Sequence, residues 1–223
     1  MYKELVLNND PKSIISETIR TLRTNLQFAS VDKKIHTILI TSSMPGEGKS
    51  FIAANLATAF AQSGSKFLLV DCDIRKGRQH YIFESHNQKG LSNLLLENVE
   101  EKYQEYIQKT KVENLSVMFR GVTPPNPSEL LASEKNKELI DILKKEYDII
   151  IFDSAPVSGG LTDSLIMGTL VDGVVIVSSY KQTAVSLLNS TKKSLQNVNA
   201  NILGVVLNRS ATNANKYYGH YYG

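Results

Sequence analysis

A lysine, a serine and three aspartates stand where they could act on a phosphate and a metal ion. Lys49 and Ser50 close the stretch SSMPGEGKS, just after two glycines and just before an apolar run. Asp71, Asp73 and Asp153 each follow a run of aliphatic residues. A lysine ammonium pairs with phosphate oxygens, whereas hydroxyl and carboxylate oxygens are ligands that Mg²⁺ accepts. These residue types predict phosphoryl-transfer chemistry on a nucleotide.

The stretch ILITSSMPGEGKS has the order of a strand, a glycine-containing loop and a helix start, which a phosphate-binding loop (P-loop) requires. Gly46 and Gly48 would let main-chain N–H groups turn towards phosphate oxygens, and the helix dipole would face the same anion. We expect Lys49 to reach the β- and γ-phosphates and Ser50 to bind Mg²⁺. The alternative, a chance GxGKS turn, does not explain the flanking strand and apolar helix. The expected nucleotide-binding residues are Pro45, Gly46, Glu47, Gly48, Lys49, Ser50 and Phe51.

The three aspartates are expected at one edge of a sheet. Asp71 and Asp73 follow FLLV and project the same way, because alternate strand residues share a face. Asp153 ends a second run, IIIFDSAP. A single aspartate at a strand end is usually a helix N-cap, but three of them in a chain with GEGKS favour a metal-binding function.

Short aliphatic runs alternate with helical patterns along the chain. The runs predict strands at residues 34–42, 66–73, 115–121, 147–155, 172–179 and 201–208. Helical patterns occupy residues 51–62, 133–147 and 183–198. The strands lack polar alternation, which is typical of a parallel sheet buried on both faces. We therefore predict an α/β protein with the P-loop NTPase fold, a doubly wound, mostly parallel sheet that binds its ligand beyond the strand carboxyl ends.

Two segments lie outside this alternation. Residues 10–29 predict a separate N-terminal helix, with Asp10 as its cap and Pro11 in its first turn. Its expected apolar stripe is Ile15, Ile19, Leu22 and Leu26. Residues 210–223 have no aliphatic side chain larger than alanine and predict a flexible tail. We divide the chain into a P-loop domain at 1–209, which includes the N-terminal helix, and a tail at 210–223.

Composition narrows the functional class. The chain has 223 residues, 42% of them hydrophobic, which suits one α/β domain. Its net charge of +3 is too small to indicate nucleic-acid binding, and no apolar run approaches the ~20 residues of a membrane span. Cys72 is the only cysteine, which excludes an internal disulfide and fits a reducing compartment. We expect a cytoplasmic protein that does not bind nucleic acid.

The order GEGKS, hhhDxDxR and hhhDxxP resembles the Walker A, A′ and B motifs of the bacterial tyrosine kinases that control capsule and exopolysaccharide synthesis. The resemblance covers nearly the whole chain and includes PPNPSELLAS at 124–133 and GLSNLLL at 90–96. Ser43 replaces the first glycine of the general loop, and Ala155 stands where the family more often has proline. The resemblance implies an ATP- and Mg²⁺-dependent protein-tyrosine autokinase.

The resemblance also implies residue roles. Ser50, Asp73 and Asp153 would surround Mg²⁺, and Asp71 is favoured as the base for the incoming tyrosine, although Asp73 stays open for that role. Asn208 and Arg209 end the last strand, where similar folds bind adenine. The expected catalytic residues are Lys49, Asp71, Asp73, Arg75 and Asp153.

An ExxRxxR motif, Glu17, Arg20 and Arg23, links subunits into a ring in this family. On spacing alone, Glu17 and Arg20 would be an ordinary pair within one helix. The tail resembles the family's autophosphorylated cluster, although a sticky low-complexity tail is the alternative. Its tyrosines are Tyr217, Tyr218, Tyr221 and Tyr222.

The resemblance implies several partners: copies of the same chain, a separate transmembrane activator that recruits the kinase to the inner face of the membrane, a cognate tyrosine phosphatase, and polysaccharide-synthesis proteins. The main rival class is a deviant Walker ATPase switch of the division-site or plasmid-partitioning type. Those proteins carry a lysine early in the loop, where this chain has Met44, and they do not need four terminal tyrosines. A nucleotide-sensing scaffold without phosphotransfer also stays open.

Overall fold

A seven-stranded sheet forms the centre of the molecule in a computed structural model, which describes residues 2–29, 34–158 and 160–210. The strands are β1 (Thr37–Ser42), β2 (Phe67–Asp71), β3 (Gln108–Lys109), β4 (Leu115–Met118), β5 (Ile149–Asp153), β6 (Gly173–Ser179) and β7 (Ile202–Asn208). Their order is β3-β4-β2-β5-β1-β6-β7, and neighbours are parallel except β3, which runs antiparallel to β4. The predicted mostly parallel α/β sheet is confirmed.

Helices cover both faces of this sheet. They are α1 (Val6–Asn9), α2 (Ile14–Phe28), α3 (Lys49–Ala61), α4 (Gln79–Ile82), α5 (Leu91–Leu94), α6 (Val99–Lys102), α7 (Pro127–Ala132), α8 (Glu134–Glu146), α9 (Asp163–Leu170) and α10 (Val185–Asn197). A 3₁₀ turn, Tyr103–Tyr106, follows α6. Within the described ranges, none of these helices is both long and apolar enough to cross a bilayer.

The core has two layers because successive residues of a buried strand face opposite sides of the sheet. Ile38 and Ile40 of β1 pack into the cluster that holds α3, whereas Leu39 packs into the cluster on the other face. Every residue of β1, β2 and β6 is buried. Helix α3 is apolar almost all round because it lies between the sheet and α2.

The N-terminal helix α2 begins at Ile14, later than predicted. Ser13 is its N-cap, and its hydroxyl accepts a hydrogen bond from the Ser16 main-chain N–H. The prediction that Asp10 caps the helix is wrong, because the extended residue directly before the first helical turn is Ser13. At the start of α2, the main-chain oxygen of Asp10 accepts from both serine hydroxyls and from the Ser13 N–H. Ile15 is 52% exposed and therefore does not join the buried stripe.

The predicted tail lies outside the described residues, except for Ser210. The division into a domain at 1–209 and a tail at 210–223 stays a prediction.

Candidate active site

The P-loop joins β1 to α3 at the carboxyl edge of the sheet. Gly46 and Gly48 have φ values of +83° and +94°, in the left-handed region that favours glycine. Gly48 is also the N-cap of α3, and a Cβ there would lie 2.2 Å from Asn208 Nδ2. The positive φ therefore favours glycine at position 48, and a side chain there would also displace the Asn208 amide.

The predicted carboxylates come together beside this loop. Asp71 and Asp153 are register partners at the ends of β2 and β5, and both are fully buried. The main-chain oxygen of Asp153 accepts from the N–H groups of Cys72 and Asp73, which holds the end of the Walker A′ segment against Walker B. Lys49 Nζ lies 3.2 Å from Asp73 Oδ2. The structure thus unites four of the five predicted catalytic residues.

Burial and mutual repulsion set the electrostatics of this cluster. Burial, followed by the nearby Asp153, raises the pKa of the Asp71 carboxyl well above its usual range. Burial also raises the pKa of Asp153, although Lys49 opposes the shift. Burial alone would lower the pKa of Lys49, but the three aspartates together raise it. Lys49 therefore remains charged, and a cation is favoured at the carboxylates.

Gln79 and Gly77 belong to this site but were not predicted. Gln79 Nε2 donates to Asp153 Oδ2 at 2.8 Å and to the Ser50 main-chain oxygen at 3.1 Å, and its main-chain N–H donates to Asp71 Oδ2 at 3.0 Å. A Cβ on Gly77 would lie 2.1 Å from Asp71 Oδ1. No spacing rule identifies either residue, since the contacts depend on how the loop after β2 folds back.

The donor set fits a magnesium ion that is held partly by phosphate. Among the described residues, no three His, Cys, Asp or Glu side chains form a ready-made metal cluster. Mg²⁺ usually takes one or two carboxylates together with phosphates and waters, so such a cluster is not required. Asp71 Oδ1 and Asp153 Oδ1 are buried acceptors with no partner in the described part of the chain. Ser50 Oγ accepts from Lys49 Nζ at 3.5 Å, which places a further oxygen ligand beside the lysine that pairs with Asp73.

Glu47 braces the P-loop from within. Its buried carboxylate accepts from the Met44 N–H at 2.6 Å, the Ser179 N–H at 3.1 Å and the Thr183 hydroxyl. Both carboxylate oxygens are thus occupied, so any contact between Glu47 and a phosphate uses its main-chain N–H. The brace connects the loop to the end of β6.

Asn208 and Arg209 also hold the P-loop. Asn208 Nδ2 donates to the Glu47 main-chain oxygen at 2.9 Å, and Arg209 Nη2 donates to the Gly46 main-chain oxygen at 2.8 Å. A cavity of about 830 Å³ lies between α2, the P-loop and β7, and Phe51, Asn208 and Arg209 contribute to its lining. Adenine contact stays a prediction for these residues, and the cavity has room for a base.

Arg75 is anchored by the buried carboxylate of Asp163. Its Nε and Nη2 atoms donate to the buried Asp163 carboxylate at 2.6 and 3.2 Å, and the Ser128 hydroxyl donates to the same carboxylate. The hydrogen bond with Asp163 raises the pKa of Arg75. This group ties the Walker A′ loop to the PPNPSELLAS segment and to the start of α9.

The ExxRxxR residues make contacts within the chain. Arg20 Nη1 lies 2.5 Å from Glu17 Oε1, the pairing expected on spacing alone. Arg23 Nη1 donates to the Ala59 main-chain oxygen of α3 at 2.9 Å. Their role between subunits stays a prediction, and the four tail tyrosines lie outside the described residues.

Comparisons with known proteins show which family this chain resembles. A family model described as an AAA domain matches residues 35–206. The tyrosine-protein kinase YwqD of Bacillus subtilis is 39% identical over 221 residues, which cover 99% of this chain and 92% of that protein. The cell division ATPase MinD of Pyrococcus furiosus is 24% identical with a TM-score of 0.65, which shows a shared fold alone. The ATPase-switch alternative is therefore not favoured.

Solved kinase structures are more similar. The chimerical protein CapA2B2 is 42% identical with a TM-score of 0.88, over 94% of this chain and 91% of that one. The kinase domain of the Escherichia coli tyrosine kinase ETK is 30% identical with a TM-score of 0.85, over 94% and 82% of the two chains. With the Walker motifs assembled as described, this chain belongs to the family of bacterial tyrosine-protein kinases.

Proposed function

We propose that this kinase binds Mg·ATP at the P-loop and phosphorylates the tyrosines at 217, 218, 221 and 222 of a neighbouring copy, as part of the control of capsular or extracellular polysaccharide synthesis and export. The observation that carries the proposal is the meeting of Lys49, Asp71, Asp73 and Asp153 at the carboxyl ends of neighbouring strands. A pKa-shifted carboxylate beside a buried lysine is the arrangement that phosphotransfer to a weak nucleophile needs.

The reaction transfers one phosphoryl group. The phenol oxygen of the acceptor tyrosine forms a bond to the γ-phosphorus, the bond to the β–γ bridging oxygen breaks, and ADP leaves with that electron pair. The phenol proton passes to Asp71, whose raised pKa makes it a better acceptor than an exposed carboxylate. Lys49 neutralises charge on the β- and γ-phosphate oxygens.

Ser50 and Asp153 are the proposed ligands of Mg²⁺, with Asp73 nearby. The ion, when bound, neutralises charge on the phosphates and on ADP as it leaves. Asp73 Oδ1 accepts from the Lys76 N–H, and its Oδ2 pairs with Lys49. Because both oxygens are engaged, Asp71 is the better candidate for the base.

The proposal extends to partners. Homo-oligomerisation through Glu17, Arg20 and Arg23, and recruitment to the inner face of the membrane by a transmembrane activator, rest on the family resemblance. A tyrosine phosphatase would reverse the modification, since phosphate esters persist without one, and the polysaccharide-synthesis proteins would respond to it.

Incubation with γ-labelled ATP and mass spectrometry of the products tests the proposal. A kinase places label on the terminal tyrosines, whereas an ATPase switch releases inorganic phosphate and leaves the protein unlabelled. A sensing scaffold does neither, and either of the last two results would refute the proposal. Lys49→Met should remove most of the label, and Lys145→Met, a change at an exposed lysine on α8, is its matched control.

A further inference from the structure

Gln79 connects the Walker A, A′ and B segments through three hydrogen bonds. Its Nε2 atom donates to the Asp153 carboxylate and to the Ser50 main-chain oxygen, and its main-chain N–H donates to Asp71. The residue is fully buried. A single side chain thus fixes the spacing between the two residues that are the proposed magnesium ligands.

Gly77 explains how Gln79 reaches this position. The chain passes so close to the Asp71 carboxylate that a Cβ at position 77 would overlap it. The Gly77 N–H also donates to the Asp73 main-chain oxygen, which closes a tight turn after the Walker A′ motif. Gln79 therefore enters the site on a short, fixed connection rather than on a loose loop.

The two amide atoms of Gln79 are used unequally. Nε2 has two acceptors, whereas Oε1 is buried with no donor among the residues that the structure describes. Buried acceptors are nearly always satisfied, so an orphan oxygen points to a donor that arrives with a ligand. The waters that Mg²⁺ retains in protein sites are such donors.

We propose that Gln79 is a positioning residue of the magnesium site, which holds Asp153 through Oδ2 and so leaves Asp153 Oδ1 free for the cation. The inference rests on the proposed magnesium site and adds a residue that touches neither ATP nor the tyrosine. Removing a partner that orients a metal ligand typically weakens metal binding by about 10- to 100-fold.

The test is calorimetric binding of ADP to Gln79→Met, with Mg²⁺ titrated and again in EDTA. Methionine has a similar length but lacks the amide, and the bond from the main chain to Asp71 is kept. We expect the Mg²⁺ concentration for half-maximal enhancement of ADP binding to rise about 10-fold or more, while ADP affinity in EDTA stays within about twofold of wild type. Gln79→Asn, whose amide is one methylene too short, should behave alike and provides a second variant if Gln79→Met does not fold.

Asn136→Leu is the matched control, because Asn136 is a buried amide that bonds the Leu131 main-chain oxygen on another part of the fold. Asn136→Leu should lower the melting temperature without changing the Mg²⁺ dependence of ADP binding. Two results for the Gln79 variants would overturn the role of Gln79 but not the magnesium site. One is that ADP binding weakens equally with and without Mg²⁺, and the other is that its Mg²⁺ dependence does not change. Wild-type ADP binding that ignores Mg²⁺ would overturn the magnesium site together with it.

Discussion

Lys49 Nζ lies 3.2 Å from Asp73 Oδ2, and both groups are largely buried. The lysine is therefore held in place by a carboxylate of the Walker A′ segment. Asp153 and Asp71 add to the field at the ammonium group and help to keep the pKa of Lys49 raised. The charge that must meet the phosphates is thus fixed and ionised in advance, which is the condition for electrostatic stabilisation of a transition state.

Replacement of Lys49 tests this arrangement. Lys49→Met should lower kcat at saturating Mg·ATP by about 10²–10³, since comparable donors contribute roughly 3–4 kcal/mol to the transition state. Circular dichroism should show an unchanged fold, and Lys145→Met should retain full activity. Near-normal turnover of Lys49→Met would remove the lysine from the mechanism.

Asp71→Asn should stabilise the nucleotide-free protein at neutral pH. The folded-state pKa of Asp71 is raised above its unfolded value, so the carboxyl contributes stability below about pH 4 and loses it as pH rises through the folded pKa. Asparagine avoids that loss, and its oxygen can still accept from the Gln79 N–H. The melting temperature should exceed that of wild type by an amount that grows with pH, at about 2–4 °C for each kcal/mol.

Asp163→Asn is the control for that comparison. Asp163 is equally buried but pairs with Arg75, so loss of its charge should lower the melting temperature near neutral pH.

Asp71→Asn should also lower the rate of phosphotransfer by about 10²–10⁴, the usual contribution of a general base. If Asp71→Asn melted below wild type at every pH, that result would contradict the proposed electrostatics of Asp71.

Much of the fold could be predicted because its strands are aliphatic on both faces. The runs at 34–42 and 172–179 became β1 and β6 with small changes at their ends. The run at 115–121 ends earlier, at Met118, because the main-chain oxygens of Phe119 and Arg120 accept from residues 91 and 92 instead. Local pattern identifies a strand, but distant hydrogen bonds decide where it stops.

The site could be predicted only where its residues form motifs. Lys49 begins α3 directly after the P-loop, and the three aspartates lie at or just after strand ends, so topology brings them together. Gln79, the first residue of α4, bonds Asp153, which is 74 positions away, and the position of α4 depends on the turn at Gly77. No periodicity in the sequence indicates the contact between Gln79 and Asp153, so only the structure reveals it.

Glu47→Gln should weaken nucleotide binding by disturbing the shape of the P-loop. Glutamine keeps one acceptor oxygen, so its NH₂ group would face either the Met44 N–H or the two donors of Ser179 and Thr183. A hydrogen bond to a charged group contributes about 1.5–3 kcal/mol, so we expect ADP affinity to fall roughly tenfold. Glu134→Gln, at an exposed carboxylate, should bind ADP normally. Equal affinities for the two variants would show that the brace does not shape the loop.

Arg20→Ala combined with Arg23→Ala should convert the oligomer to monomers in light scattering. An arginine pair across an interface is directional and costly to truncate on one side. Lys137→Ala is a close control, because Lys137 and Glu134 form an exposed pair of the same spacing on α8. A full oligomer in the double variant would leave the Glu17–Arg20 pair as a contact within one helix.

Phosphorylation of the tail should drive the oligomer towards monomers. We expect the tyrosines, which follow Arg209 after the polar spacer SATNANK, to enter the site of a neighbouring copy. Each phosphotyrosine adds about −1.5 to −2 charge, and four add roughly −6 to −8. That exceeds the +3 of the whole chain, so modified tails should repel one another and leave sites that contain three carboxylates.

A mixture of an inactive form and a truncated form distinguishes phosphate transfer between copies from phosphate transfer within one copy. Lys49→Met supplies an intact tail without activity, and an otherwise wild-type chain lacking residues 215–223 supplies activity without acceptors. Phosphate should appear on the Lys49→Met tail, and size-exclusion chromatography with light scattering should show the oligomer fraction falling at the same rate. Lys49→Met incubated alone with Mg·ATP should change in neither respect. An unmodified tail would exclude transfer between copies, and an oligomer that persists after phosphorylation would exclude repulsion as the cause of its disassembly.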